Sequence, residues 1–269
     1  MLIEDYWLVG DLRAAALVGR NGSVDWLCLP RFDSASCFSA LLGDERHGRW
    51  LVTPADEVVT TTRRYRRGTL VLDTDFETAE GAVRVTDFMP PRGDGPPRFM
   101  RIVEGIRGRV RMRLELVLRP DYGSIAPWME LVSDGVLATA GPDAFRLSTH
   151  LPLTLEDGTV TAEFVAIEGA RERFVLTWHR AHLQTPPVED ADSALARTEA
   201  WWQEWTSRSQ YRGAYRDEVM RSLIVLKAMT YETTGALIAA PTTSLPEDIG
   251  GLRNWDYRYC WLRDSVLAL

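Results

Sequence analysis

The 269-residue sequence predicts a mostly β chain. A large antiparallel β-sandwich comes first, then a linker helix, then the start of a helical domain. Three observations carry this. Residues 1–187 hold short apolar–polar alternations separated by glycine turns, with no helical period between them. Thr185-Pro186-Pro187 ends that pattern, and apolar spacing then changes from two to about 3.6 residues. Finally, the stretch from Ser244 to Leu269 crowds aromatic rings among charges, as neither a plain core nor a plain surface segment does. The boundaries so read are 1–187 for the sandwich, 188–212 for the linker helix and 213–269 for the helical part.

In chain order, Ala14–Val18 and Ser23–Leu29 flank Gly19-Arg20-Asn21-Gly22, a hairpin with Asn-Gly at its tip. Pro30–Ser34 ends it. Val58–Arg66 and Thr69–Phe76 flank Arg67-Gly68, and Ala82–Phe88 follows Glu80-Gly81. The clearest strand is Val110–Leu118. Its residues Val110, Met112, Leu114, Leu116 and Leu118 point one way, and Arg109, Arg111, Arg113 and Glu115 the other. Asp134-Gly135 and Asp157-Gly158 mark further hairpins, and Phe174–Trp178 is a last strand. Arg63-Arg64-Tyr65-Arg66-Arg67 could form an anion site, but it reads better as a strand with an Arg-bearing solvent face that blocks edge pairing. The proline-rich run Pro90–Pro97 is a loop.

After the break, Asp192-Ser193 caps a helix carrying Leu195, Trp201, Trp202 and Trp205, which packs across the sandwich. A second helix runs from about Tyr215 to Tyr231. Its stripe is Val219, Leu223, Leu226 and Met229 with Met220, Ile224 and Val225 beside them, wide enough to be covered on more than one side. Leu237–Pro241 is a short extended piece leading into a Thr242–Gly251 loop.

Composition narrows the function. With 45% hydrophobic residues the chain buries a large core. A net charge of −7 argues against nucleic acid, whose phosphates need a basic face. There is no apolar stretch of membrane-spanning length and no basic-then-apolar leader. Cys28, Cys37 and Cys260 form no disulfide framework and read as reduced thiols of a cytoplasmic protein. His179 and His182 lack the further ligands of a zinc site, and no metal or cofactor is expected. The sequence leaves homo-oligomerisation open.

Trp255, Tyr257, Tyr259 and Trp261 fall within seven residues, interleaved with Asp256, Arg258, Arg263 and Asp264. Flat rings beside forked hydrogen-bonding groups suit a sugar: its C–H faces pack on aromatics and its hydroxyls bind Arg and carboxylate. An extended segment would put Trp255, Tyr257, Tyr259, Trp261 and Arg263 on one side. A helical one would group Tyr257, Trp261 and Asp264. The favoured geometry is an extended or irregular approach with a helix starting near Arg263 or Asp264, which sets the pair at a helix N-terminus. The same composition also fits a buried aromatic cluster with an internal Arg–Asp ion pair.

Asn254–Ser265, N-W-D-Y-R-Y-C-W-L-R-D-S, resembles the first substrate-binding motif of glycoside hydrolase family 15, the glucoamylases and their bacterial trehalase relatives. The opening, Ile3–Ser34, resembles the bacterial branch of that family, so the likeness covers essentially the whole chain. It implies a supersandwich-like N-terminal domain joined to an (α/α)6 barrel, of which this chain would hold a truncated beginning. It also implies inverting hydrolysis of α-linked glucosides by two carboxyl groups roughly 6.5–9.5 Å apart. In the family these are glutamates well downstream of the motif. The general acid and base are therefore expected beyond residue 269, no catalytic residue is assigned, and the 269-residue piece alone is expected to be inactive. Glu247, Asp248, Asp256 and Asp264 match neither role. Carried over residue by residue, Arg263 and Asp264 match the pair that grips hydroxyls of the terminal glucose. Tyr257 matches the ring under the reacting sugar, and Trp261 lines the pocket. Asn254, Trp255, Asp256 and Arg258 shape it. The expected substrate is trehalose or another α-glucoside. The alternative is a non-catalytic carbohydrate-binding or scaffolding sandwich. A phosphorylase of similar layout would need a phosphate site, which the motif region lacks.

Overall fold

The computed structural model describes residues 1–243 and 251–268. Fifteen strands are formed among them, all paired antiparallel. They are β1 (Tyr6–Gly10), β2 (Ala15–Gly19), β3 (Ser23–Cys28), β4 (Ser36–Phe38), β5 (Arg49–Pro54), β6 (Thr60–Tyr65), β7 (Leu72–Glu77) and β8 (Gly81–Phe88). After these come β9 (Arg98–Val117), β10 (Trp128–Val132), β11 (Gly135–Ala140), β12 (Asp143–Ser148), β13 (Thr154–Glu156), β14 (Thr159–Ile167) and β15 (Arg171–Arg180). The helices are α1 (Ala191–Ser207), α2 (Arg216–Ala228) and α3 (Leu262–Ala268).

The 20-residue β9 serves two layers. Its first half pairs with β8 and β15 and carries β7, β6, β12, β11 and β10 outward; its second half pairs with β5 and β14 and carries β3, β2, β1 and β13. Glycines mark the crossover. Gly108 has φ +63°, and a Cβ on Gly105 would meet Ile167 O at 2.1 Å. The second half alternates as the sequence predicts: Val110, Met112, Leu114, Leu116 and Leu118 are buried and Arg109, Arg111 and Arg113 exposed. Trp50 of β5 meets Phe99 and Phe174 of the opposite layer edge-on at 5.8 and 6.5 Å, which sets the main core between the layers.

That core contains an ion pair. Arg101 and Asp87 are both fully buried. Arg101 Nε and Nη2 donate to the Asp87 carboxylate at 2.7 and 3.2 Å. Nη1 donates to Trp50 O at 2.9 Å and Nη2 to Gly22 O at 2.7 Å. One side chain thus ties the two layers together, with its donors aimed at fixed acceptors.

The hairpin signals all mark real turns. The second half of β9 coincides with the expected Val110–Leu118 strand, and the strand as a whole is longer because it begins at Arg98. Strands β1, β4, β5 and β12 had no such signal. The Arg run behaves as a charged strand face. Arg64 pairs with Asp75, Arg66 with Asp73 and Glu199, and Arg63 lies over the Trp7 ring at 4.6 Å.

Two helix details differ from expectation. The cap of α1 is Asp190, whose carboxylate accepts Ser193 N–H at 2.9 Å; Asp192 sits in the first turn, engaged by Arg171 and Arg173. The buried stripe of α2 is Met220, Ile224 and Ala228, because Ile224 and Ala228 face Leu12, Leu70 and Trp202. The stripe Val219, Leu223, Leu226 and Met229 is only half-buried on a neighbouring face. Helix α1 covers the outer side of β8, β9 and β15 through Ala191, Ala194 and Leu195 against Phe88, Met100, Ile102 and Val175. Of its tryptophans Trp202 is the buried one, with Trp201 and Trp205 edge-on to it.

Candidate functional site

The segment from Arg253 to Trp261 has no regular secondary structure, so side chains and stray backbone bonds must fix it. Ala239 N–H donates to Tyr259 O at 3.1 Å and Ala240 N–H to Tyr257 O at 2.8 Å, which aligns it with the extended piece before Pro241. Ser265 N–H donates to Trp261 O at 2.9 Å and opens α3. The helix therefore starts at Leu262, and Arg263 and Asp264 lie in its first turn rather than at its cap. At seven residues it offers little field of its own, so any grip here is that of side chains.

Arg258 is the anchor. Its side chain is 3% exposed, while Asp256 beside it is 34% exposed. Nε and Nη2 fork onto the Asp256 carboxylate at 3.0 and 2.7 Å. Nη1 reaches Ser34 O at 2.6 Å, Phe32 O at 3.3 Å and Cys28 Sγ at 3.5 Å, and Nη2 also donates to Tyr122 Oη at 2.7 Å. Every one of those partners except Asp256 belongs to the sandwich. Asp121 and Tyr122 both have positive φ, 55° and 57°, a conformation that costs a non-glycine residue about 1–2 kcal/mol, and it brings the phenol to Arg258.

The charges follow from this geometry. Burial pushes Asp256 up, but the Arg258 fork outweighs it and holds the carboxyl below its ordinary value. The same contacts push Arg258 up against the opposing effect of burial. Burial raises the Cys28 thiol to about 12 despite the nearby guanidinium, so it stays protonated.

Asp256 also accepts, through its backbone carbonyl, the Trp261 indole N–H at 2.9 Å. Trp261 and Tyr257 are half-buried with ring centroids 5.5 Å apart. Trp255 and Tyr259 are about half-exposed. The one-sided row of five residues expected of an extended segment does not form, because the chain bends at Arg258–Tyr259. The bend brings Tyr257 and Trp261 together instead.

Arg263 and Asp264 are left differently. Their side chains are 71% and 36% exposed and approach at 3.5 Å, longer than a hydrogen bond. Asp264 Oδ2 has no hydrogen-bond partner among the described residues. The carboxylate borders a shallow groove of about 280 Å³ lined by Leu226, Met229, Ile238 and Leu267. That oxygen is itself buried, so the groups left open to a polyhydroxylated ligand are the exposed Arg263 guanidinium and the accessible part of the Asp264 carboxylate. Glu247 and Asp248 lie outside the described residues, as do the rest of Ser244–Gly250 and Leu269. His179 is buried with Nδ1 2.9 Å from Arg180 O, and His182 is exposed. No helix among the described residues is long and apolar enough to cross a membrane.

From the sequence, Arg258 is expected only to shape the pocket. A signal was present: if the rings occupy odd positions on one side, Arg258 falls on the other, toward the sandwich. Its sandwich partners, 136 to 230 residues away, left no local mark.

Residues 1–178 match the family described as trehalase-like, N-terminal, and residues 213–269 match glycosyl hydrolases family 15. A trehalase of Thermoplasma volcanium is 34% identical over 99% of this chain and 44% of its own length. One of Mycolicibacterium smegmatis is 33% identical over 99% of this chain and 44% of its own. The chain thus spans less than half the length of these curated relatives. A solved structure, a putative kojibiose phosphorylase from human microbiome, aligns at TM-score 0.44 and 10% identity over 86% of this chain and 40% of its own. The chain belongs to the trehalase-like branch of glycosyl hydrolase family 15.

Proposed function

We propose that these residues are the sandwich and the sugar-gripping first part of an inverting α-glucosidase acting on trehalose. Residues 1–187 form the sandwich domain, 188–212 the linker, and 213–269 the beginning of the helical catalytic domain. The observation that carries this is the Tyr257–Trp261 ring pair followed by an Arg263–Asp264 pair with unsatisfied hydrogen-bonding capacity. The trehalase relatives support the choice of trehalose over longer α-glucosides.

In this reading Tyr257 packs under the terminal glucose and Trp261 closes its side. Arg263 and Asp264 bind its hydroxyls, so a sugar lacking one leaves a charged group unpaired and is rejected. The general acid and base are two further carboxylates outside residues 1–269. The chain alone then binds sugar without turning it over.

The test uses the complete open reading frame that contains these residues. It should release glucose from trehalose, one product first appearing as the β-anomer. Arg263→Ala or Asp264→Asn should lower kcat/KM by about 100-fold or more without loss of folding. A wild-type protein that leaves trehalose intact, or turnover by the purified 269-residue chain, would refute the reading.

A further inference from the structure

The sandwich loop that Arg258 holds has features its anchoring role does not use. Arg31 N–H donates to Ser34 Oγ at 3.1 Å, and Ser34 N–H returns to Arg31 O at 3.2 Å, closing the turn. Inside it Phe32 is buried against Ala15 and Ile238, with the Tyr231 ring edge-on at 6.2 Å. The carbonyls of Phe32 and Ser34 both face Arg258. Ile238 continues into Ala239 and Ala240, whose N–H groups bind the Tyr259 and Tyr257 carbonyls. The loop, the extended piece and the aromatic segment are therefore joined side by side.

On the outer side of this turn Arg31 forks onto Asp33, Nε to Oδ1 at 2.9 Å and Nη2 to Oδ2 at 2.6 Å. The Arg31 side chain remains 55% exposed, and its Nη1 has no partner among the described residues. Phe32, the next residue in the turn, meets the Tyr231 ring and packs on Ile238, and the neighbouring Ala239 N–H binds Tyr259 O, so both tyrosine segments are joined to this turn. A turn of this kind needs no bidentate ion pair at its exposed rim, since surface pairs contribute little to stability. An oriented fork next to a half-exposed tyrosine is, however, a hydroxyl-binding edge.

We propose that Arg31 and Asp33 determine specificity, binding hydroxyls of the second sugar, the one that leaves, beside Tyr259. The inference rests on the trehalase reading above. It makes the sandwich a wall of the site rather than a support for it.

The test compares two substrates in the same preparation of the complete protein: trehalose, and 4-nitrophenyl α-glucoside, whose leaving group has no sugar hydroxyls. In Arg31→Ala and in the milder Asp33→Asn, the kcat/KM ratio of trehalose to the aryl glucoside should fall about 10- to 100-fold, the size of one charged hydrogen bond. The ratio does not depend on how much of a variant is folded, so a destabilised variant still decides. An unchanged ratio, with both substrates falling together or neither falling, overturns the proposal while leaving the trehalase reading intact. A wild type that cleaves the aryl glucoside but not trehalose overturns both.

Discussion

Arg101–Asp87 in the sandwich and Arg263–Asp264 at the start of α3 are chemically the same pair with opposite fates. The first is wholly buried, forked and supplemented by two backbone carbonyls. In the second the guanidinium is largely exposed and the carboxylate partly so, the two are 3.5 Å apart, and the buried carboxylate oxygen Oδ2 lacks a partner among the described residues. Arg258–Asp256 stands between them, its guanidinium buried in sandwich contacts and its carboxylate partly open. In the proposed function, the difference between the structural pair and the sugar-binding pair is how much hydrogen-bonding capacity the fold has already satisfied.

The comparison breaks most severely at its buried end. Asp87→Ala strands the Arg101 charge in the core and should cost about 3–5 kcal/mol, read as a lower midpoint in urea unfolding. Substitution of both partners by apolar residues of similar size should recover much of that loss. Arg258→Ala should cost less, about 1.5–3 kcal/mol, and the loss should be local. Amide exchange would accelerate over residues 255–261 while the β9 core stays protected.

Acid should act at the same place. Asp256 titrates below the ordinary 3.8, so its contribution is complete above that value and is lost as pH falls through the lower folded value. Tryptophan fluorescence from Trp255 and Trp261 should hold steady from neutral pH to about pH 4 and change below it. Arg258→Ala should abolish that step. The smallest stability effect is expected at the open end: Arg263→Ala or Asp264→Asn should shift unfolding by no more than about 0.5 kcal/mol. Sugar binding should nonetheless be lost.

The sequence showed this architecture where it is locally encoded. Asn21-Gly22, Asp134-Gly135 and Asp157-Gly158 each lie in or beside a hairpin turn, and the alternation of β9 gave its buried face. Strands β5 and β12 are placed by pairing with β9 and β15, distant in sequence, and nothing in their own residues announces those partners. The buried ion pair did leave a trace. Asp87 follows Val83 and Val85 on one face of β8, Arg101 lies between Phe99 and Val103 on β9, and the two are directly opposed. Opposite charges at core-facing positions of two strands are a readable signal.

At the site, the motif gave the residues but not their arrangement. Alternation alone would have set the four rings in one row. The bend at Arg258–Tyr259 arises because Arg258 reaches carbonyls at Phe32 and Ser34 and the Tyr122 hydroxyl. The energetic reason for the shape of this segment thus lies more than a hundred residues upstream.

The decisive experiment is a crystal of the complete protein soaked with glucose. One pyranose should lie against the Tyr257 ring, with its hydroxyls on Arg263 and Asp264 and the Arg258 contacts unchanged. Glucose bound elsewhere, with Arg263 and Asp264 closed into a finished core by other parts of the chain, would contradict that placement.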